Sequence, residues 1–286
     1  MLQLVRAANP SPLTGPGTNT WLVGRGQVAV IDPGPDDPGH RAAILAAAGA
    51  GGGRITAILV THAHRDHSEG ARALAAASGA PVLGFGPPEA GRSPVMARLA
   101  AAGLAGGGEG LDAGFAPDRA LADGEAVESD EWRLEALWTP GHFGGHLAFR
   151  WGERLFSGDL VLGWATTLIS PPDGDLSDYM RSLERLAALP LAELLPGHGD
   201  PVPDPAARLA ELAAHRRART AEILAALADV PAAAPAELAA RIYDVPAKLQ
   251  AAAARNVFAH LVALEALGAV AAEGPVTPAT RFARLR

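Results

Sequence analysis

Short apolar runs alternate with helix-favouring stretches along the first two thirds of the chain. Thr20 to Val23 and Gln27 to Ile31 predict two strands around Gly24-Arg25-Gly26, and Asp32-Pro33-Gly34-Pro35 breaks the second. His40 to Ala48 predicts a helix closed by a glycine-rich run, before an apolar strand from Ile55 to Val60. A helix from Ser68 to Ala77, a strand from Pro81 to Phe85 and a helix between loops in residues 87 to 115 follow. Glu125 to Leu137, Leu147 to Trp151 and Arg154 to Phe156 return to strands, with Trp151-Gly152-Glu153 as a hairpin connection. Leu176 to Leu189 places apolar residues at helical spacing, and Leu194-Leu195 reads as a short strand ending at Pro196-Gly197.

After Pro201 to Pro205 the strands stop and a helix-forming composition takes over, broken again at Pro231 to Pro235. A domain boundary is expected here, with residues 1–204 as one domain and 205–286 as a helical linker and a small second domain. From Ala236 the pattern predicts a helix, a turn at Tyr243-Asp244-Val245-Pro246, helices from Ala247 to about Ala254 and from Asn256 to Leu267, and hairpin character from Gly268 to Arg284. Three short helices and a hairpin suggest a winged helix.

Composition narrows the chemistry. With no cysteine in 286 residues, disulfides, iron–sulfur clusters, thiolate zinc sites and a cysteine nucleophile are excluded together, so any metal must be held by His, Asp and Glu. A net charge of −7 gives no global basic field for non-specific nucleic-acid binding. The alanine-rich runs are interrupted well short of the about 20 apolar residues of a membrane span. The first residues lack the charged start and apolar run of a secretory signal. A cytoplasmic protein without membrane contact is expected.

The densest chemistry lies in Thr61-His62-Ala63-His64-Arg65-Asp66-His67, directly after an apolar strand and before a helix. His62 and His64 are two apart, so an extended strand end aims both imidazoles to one side, and Asp66 and His67 follow in the turn. Packing these groups together is costly unless a cation neutralises and orders them. His142, Asp159 and His198 each follow a glycine where a predicted strand ends, and glycine lets the backbone bring a short side chain close to a shared centre.

Together these residues resemble the metallo-β-lactamase-fold hydrolase superfamily, whose His-x-His-x-Asp-His motif is matched in full and followed by its later His, Asp and His. The resemblance covers roughly residues 10 to 200. It implies an α+β fold, a four-layer αβ/βα sandwich, followed here by the small C-terminal winged-helix-like domain. It implies His62, His64 and His142 on one metal, Asp66, His67 and His198 on the other, and Asp159 between them. Two divalent ions are expected, zinc first, with manganese or iron as alternatives. A hydroxide between two such ions is the implied nucleophile. Asp66 takes a further catalytic role, orienting that hydroxide or passing a proton to the leaving group.

The opening Asn9 to Val23 and the segments Asn256 to Leu261 and Leu267 to Val270 are similar to one branch, which includes a mitochondrial single-strand endoribonuclease. That branch implies phosphodiester hydrolysis, of single-stranded RNA or a nucleotide-type substrate. The alternative is glyoxalase II-like hydrolysis of a small-molecule ester or thioester. A weaker third reading is a metal-braced nucleic-acid-binding module without catalysis. The winged helix suits nucleic-acid binding, a lid or a homodimer surface.

Other residues read more plainly. Asp32, at a strand end, is expected to orient a metal-binding histidine through its second ring nitrogen. His146 is expected to be structural or to support a ligand from behind, and His40, His215 and His260 to be surface or packing residues. Arg216-Arg217-Ala218-Arg219 reads as a solvated helix face, and Arg255, Arg281, Arg284 and Arg286 give the last segment positive character.

Overall fold

Strands Leu2–Arg6 (β1), Asn19–Val23 (β2) and Gln27–Ile31 (β3) pair antiparallel in that order. Arg54–Leu59 (β4), Val82–Gly84 (β5) and the short Arg119–Ala120 (β6) continue the sheet in parallel. A second sheet is built from Ala126–Glu128 (β7), Arg133–Trp138 (β8), Leu147–Trp151 (β9), Arg154–Gly158 (β10) and Glu193–Pro196 (β11). Its pairing is antiparallel except for β10 with β11. This is a computed structural model, and it describes residues 1–106 and 110–285. The 87–115 reading therefore runs partly, and Arg286 wholly, outside the described residues.

The period-two alternation of the strands produces the layers. Trp21 and Val23 enter a core between the two sheets, where they meet Leu134, Phe149 and Phe156. Leu22, Val28 and Ile58 face the other way, onto Ile44 of helix α1 (Pro38–Gly49) and Leu74 of helix α3 (Ala71–Ser78). Between those helices lies the one-turn helix α2 (Arg65–Ser68). Beyond the second sheet, Leu155 and Leu194 pack on Tyr179 and Leu183 of α5 (Leu176–Ala187) and on Leu209 and Leu212 of α6 (Pro205–Ala228). The order helix, sheet, sheet, helix is the expected four-layer sandwich. Each wholly buried Leu or Phe contributes roughly 1.5–3 kcal/mol to it.

Caps set the helix starts. Asp37 accepts a hydrogen bond from the His40 amide ahead of Pro38, and Asp204 from the Ala207 amide ahead of Pro205. Helix α4 (Pro94–Ala101) begins in the same way at Ser93.

The C-terminal unit has its own core. Ile223 and Leu227 at the end of α6 pack with Leu238 of α7 (Pro235–Ile242) and with Phe258 and Leu261 of α8 (Gln250–Ala266). Phe282, on the hairpin of Val270–Ala272 (β12) and Phe282–Arg284 (β13), closes this core, and Met96 of α4 joins it.

Three expectations change. β1 was not expected, because the alternation Leu2-Gln3-Leu4 runs over only five residues, none of them fully buried, at the edge of a sheet. The stretch 125–137 is two strands, since the Ser129 amide donates to the Trp132 carbonyl at 2.8 Å and turns the chain. The two helices expected on either side of Arg255 are one, α8, after a short 3-10 turn at Ala247–Leu249. Nothing between Ala251 and Ala266 is a glycine or proline, so nothing breaks it.

His260 of α8 is a packing residue. Fully buried, it faces Thr220 Oγ1 at 2.9 Å through Nδ1 and holds a pKa of about 3, lowered by burial and then by Arg216, Arg219 and His215 of α6. Its folded value lies below its unfolded one, so the unfolded chain binds the extra proton between them. Stability should therefore fall as pH drops from about 6.5 toward 3. Denaturant midpoints across that range should show a shallower loss for His260→Gln than for the wild type.

Candidate metal centre

Asp32 directly follows β3 and has φ 53°, the one positive φ outside glycine among the described residues. This conformation costs of order 1 kcal/mol in an L-residue. It delivers a buried carboxylate to three donors. Oδ1 accepts from the Thr61 amide at 2.8 Å, Oδ2 accepts from Thr61 Oγ1 at 2.8 Å, and Oδ2 lies 2.9 Å from His67 Nδ1. Asp32 thus orients His67, as expected of it.

The remaining groups arrive at the same sheet edge. His62 and His64 lie in the turn after β4, with His64 capping α2, while Asp66 and His67 sit inside that helix rather than in an open turn. His142 follows β8, Asp159 follows β10 and His198 follows β11. Gly197 is required beside them, because a Cβ there would lie 2.6 Å from Asp159 Oδ1 and from His67 Cε1.

All seven expected residues come together. His64 Nδ1 lies 3.0 Å from His62 Nε2 and 3.1 Å from His142 Nε2. His198 Nε2 lies 3.2 Å from both His67 Nε2 and Asp66 Oδ2. Asp159 stands between these sets, at 3.4 Å from His67 and from His198 and 3.9 Å from His142. The donors form three groups able to hold a metal: His62, His64 and His142; His62, His67 and Asp159; Asp66, His67 and His198.

The far side of four of the rings is occupied, that of His67 by Asp32. His62 Nδ1 faces Thr61 Oγ1 at 3.0 Å, His142 Nδ1 donates to the Leu168 carbonyl at 2.7 Å, and His198 Nδ1 lies 3.3 Å from the Gly17 carbonyl. In His62, His67, His142 and His198 these partners leave Nε2 facing the cluster. His146 packs its ring 5.3 Å from that of His62 and belongs to none of the three groups.

Electrostatics show what such a cluster demands. Burial, with neighbouring imidazoles, holds His62 well below its ordinary pKa and His64 down to about 3. Burial also opposes charge on His67, but Asp66, Asp159 and Asp32 outweigh it and push that ring well above its ordinary value. Asp159 and Asp66 likewise overcome burial to raise His198 to about 9. Asp159 Oδ1 is buried without a hydrogen bond of good geometry. Two imidazoles held charged among three carboxylates, beside an unsatisfied carboxylate oxygen, fit divalent metal ions.

Sequence reasoning missed the support behind His142. The loop 162–168 carries the Leu168 carbonyl, and two arginines of α6 pin that loop. Arg208 Nε donates to the Leu162 carbonyl at 2.9 Å and Nη2 to the Ala165 carbonyl at 2.6 Å, while Arg216 donates to the Thr167 carbonyl. Arg216 is 2% exposed, so it does not belong to a solvated face. The signal was its phase, because Arg216 continues the series of Leu209 and Leu212 on the buried side of α6.

A cavity of about 500 Å³ opens onto the cluster, floored by His64, Asp66, His142, Asp159 and His198. Arg65 is the one lysine or arginine among the described residues that line it.

Residues 13–198 match the profile of the metallo-beta-lactamase superfamily, and residues 234–275 that of the beta-lactamase associated winged helix domain. The lactamase-like protein adaB of Aspergillus niger is 30% identical over 78% of this chain and 62% of its own length, so the chain spans less than two thirds of that relative. The beta-lactamase-like protein 2 homolog of Drosophila melanogaster is 30% identical over 77% of this chain and 71% of its own. The thioesterase pkgB of Emericella nidulans is 29% identical over 77% and 57%. A metallo-beta-lactamase family protein from Thermus thermophilus has a similar structure, with a TM-score of 0.77, 28% identity, and coverage of 99% of this chain and 98% of that one.

Asp32→Asn keeps an acceptor for the Thr61 amide but no longer accepts from His67 Nδ1. It should weaken uptake of one metal ion by roughly 10–100-fold. Zinc titration against a competing chelator should then turn biphasic, while the thermal midpoint of the chelated protein moves little.

Proposed function

The chain belongs to the metallo-beta-lactamase superfamily and carries its associated winged helix domain, and on that premise we propose that it hydrolyses thioesters with two divalent metal ions. His62, His64 and His142 would hold one ion, Asp66, His67 and His198 the other, and Asp159 both. Zinc suits this set of imidazoles and carboxylates, and manganese or iron are its competitors.

The observation that carries the reading is the cavity lining. A polyanionic RNA strand is drawn by arrays of Lys and Arg, whereas the lining offers Arg65 alone of these two types among the described residues. A neutral acyl carbonyl needs no such array. A relative named as a thioesterase supports the same choice. The endoribonuclease reading ranks behind it.

Divalent ions held by this cluster would supply Lewis acidity, which lowers the pKa of a water to about 7 and draws charge from a carbonyl oxygen. In the reaction the water oxygen bonds to the acyl carbon, the carbon–sulfur bond breaks, and a carboxylic acid and a thiol are released. Asp66 is the one partly exposed member of the seven, with Oδ2 near Thr18 Oγ1 and His198 Nε2. From there it accepts a hydrogen bond from the water and orients it. A thiol with a pKa of about 8.5 leaves readily as thiolate, so the leaving group makes little demand for an acid. The buried floor and the clamped loop 162–168 keep the rings fixed while the substrate changes.

Purified protein should contain metal. Acyl thioesters should be turned over, with activity lost to a chelator and restored by zinc, and Asp66→Ala should lower kcat by at least about 100-fold. Cleavage of single-stranded RNA or of a chromogenic phosphodiester, without thioester turnover, would reverse the assignment.

A further inference from the structure

Six large apolar side chains are exposed among the described residues, and three of them, Leu13, Trp164 and Leu249, line the cavity over the cluster. Scattered exposed apolar side chains need no explanation, but convergence from three distant segments on one cavity does.

The walls are built rather than loose. Trp164 is 46% exposed, yet its indole lies against two glycines. A Cβ at Gly15 would sit 3.1 Å from Cζ2 of that ring, and one at Gly199 would sit 2.5 Å from Cε3. Both glycines have positive φ, at 59° and 79°. Leu13 is carried on a loop tied by Ser11 Oγ, which accepts from the Leu13 and Thr14 amides at 3.1 and 3.0 Å. Leu249 belongs to the turn before α8, and Ala252 of α8 lines the same wall.

The geometry points to an apolar acyl group as the occupant of this cavity, held by Leu13, Trp164 and Leu249 while its thioester carbonyl meets the floor. The C-terminal unit is on this account a wall of the acyl pocket, not a reader of nucleic acid. The inference rests on the thioester reading. It adds the acyl class and the role of the C-terminal unit.

The test has two arms. In the first, kcat/KM is measured for N-acetylcysteamine thioesters from acetyl to decanoyl. It should rise with chain length, by up to roughly fourfold for each methylene that is fully buried. Trp164→Ala and Leu249→Ser should each reduce the decanoyl-to-acetyl ratio at least tenfold, with unchanged metal content and circular dichroism. In the second arm, calorimetry follows binding of ketone analogues in which a methylene replaces the sulfur. The decanoyl analogue should bind more tightly than the acetyl one, with a negative heat-capacity change, and Leu249→Ser should erase the difference. Turnover that is flat or falling with chain length overturns the acyl pocket and leaves the thioester reading standing. Chain-length-dependent binding without any turnover supports the pocket and overturns the thioester reading. Failure of both arms, or displacement of the decanoyl analogue by a single-stranded oligoribonucleotide, overturns the pocket.

Discussion

The carboxylate of Asp32 is the contact on which the site depends. It joins the end of β3 to the end of β4 through both donors of Thr61, and it fixes His67 of α2 in the same stroke. A buried carboxylate is expensive unless its lone pairs are used, and here the three contacts use them. The left-handed backbone at Asp32 is held only because those contacts over-determine it. From that knot outward, Thr61 Oγ1 donates to Asp32 and faces His62 Nδ1, so the Asp32–Thr61 pair aligns rings on both halves of the cluster.

A second support comes from the other end of the chain. Helix α6 lies on the outer face of the second sheet, and Arg208 and Arg216 reach from it to carbonyls of loop 162–168. Arg216 lies over the ring of Tyr179 at 5.4 Å and meets Asn256 of α8 at 3.4 Å. Arginine suits this place because its planar fork serves several carbonyls and stacks on an aromatic at once. The C-terminal unit is therefore packed into the support of His142 as well as standing beside the cavity.

The cluster of imidazoles and carboxylates was legible because it is local in sequence. His62, His64, Asp66 and His67 span six positions, and the glycines before His142, Asp159 and His198 marked loops at strand ends. The strands around them were legible too, since period-two alternation separates Trp21 and Val23 from Leu22. Other features were written in contacts distant in sequence. Arg216 reads as charge until its phase on α6 is considered. β1 carries its alternation over only five residues and is placed by pairing with β2, and Met96 joins a core made of residues more than a hundred positions away. Alanine-rich composition compounds the difficulty, since it lets α8 look like two helices when no breaker divides it.

The site divides its labour between parts of different origin. Sheet ends supply the floor, where position matters to tenths of an ångström and the backbone is pinned by ladders and buried carboxylates. Loops and the C-terminal unit supply the walls, where Leu13, Trp164 and Leu249 come from segments that pack on the sandwich without entering its ladders. Changes in the walls alter what fits without disturbing the floor, so one cluster of imidazoles and carboxylates serves many substrates across a superfamily. The ligand motif alone therefore cannot name the bond that is cut. The lining of the cavity, with a single arginine and no lysine among the described residues and with a cradled indole, bears more on the substrate than the seven residues beneath it.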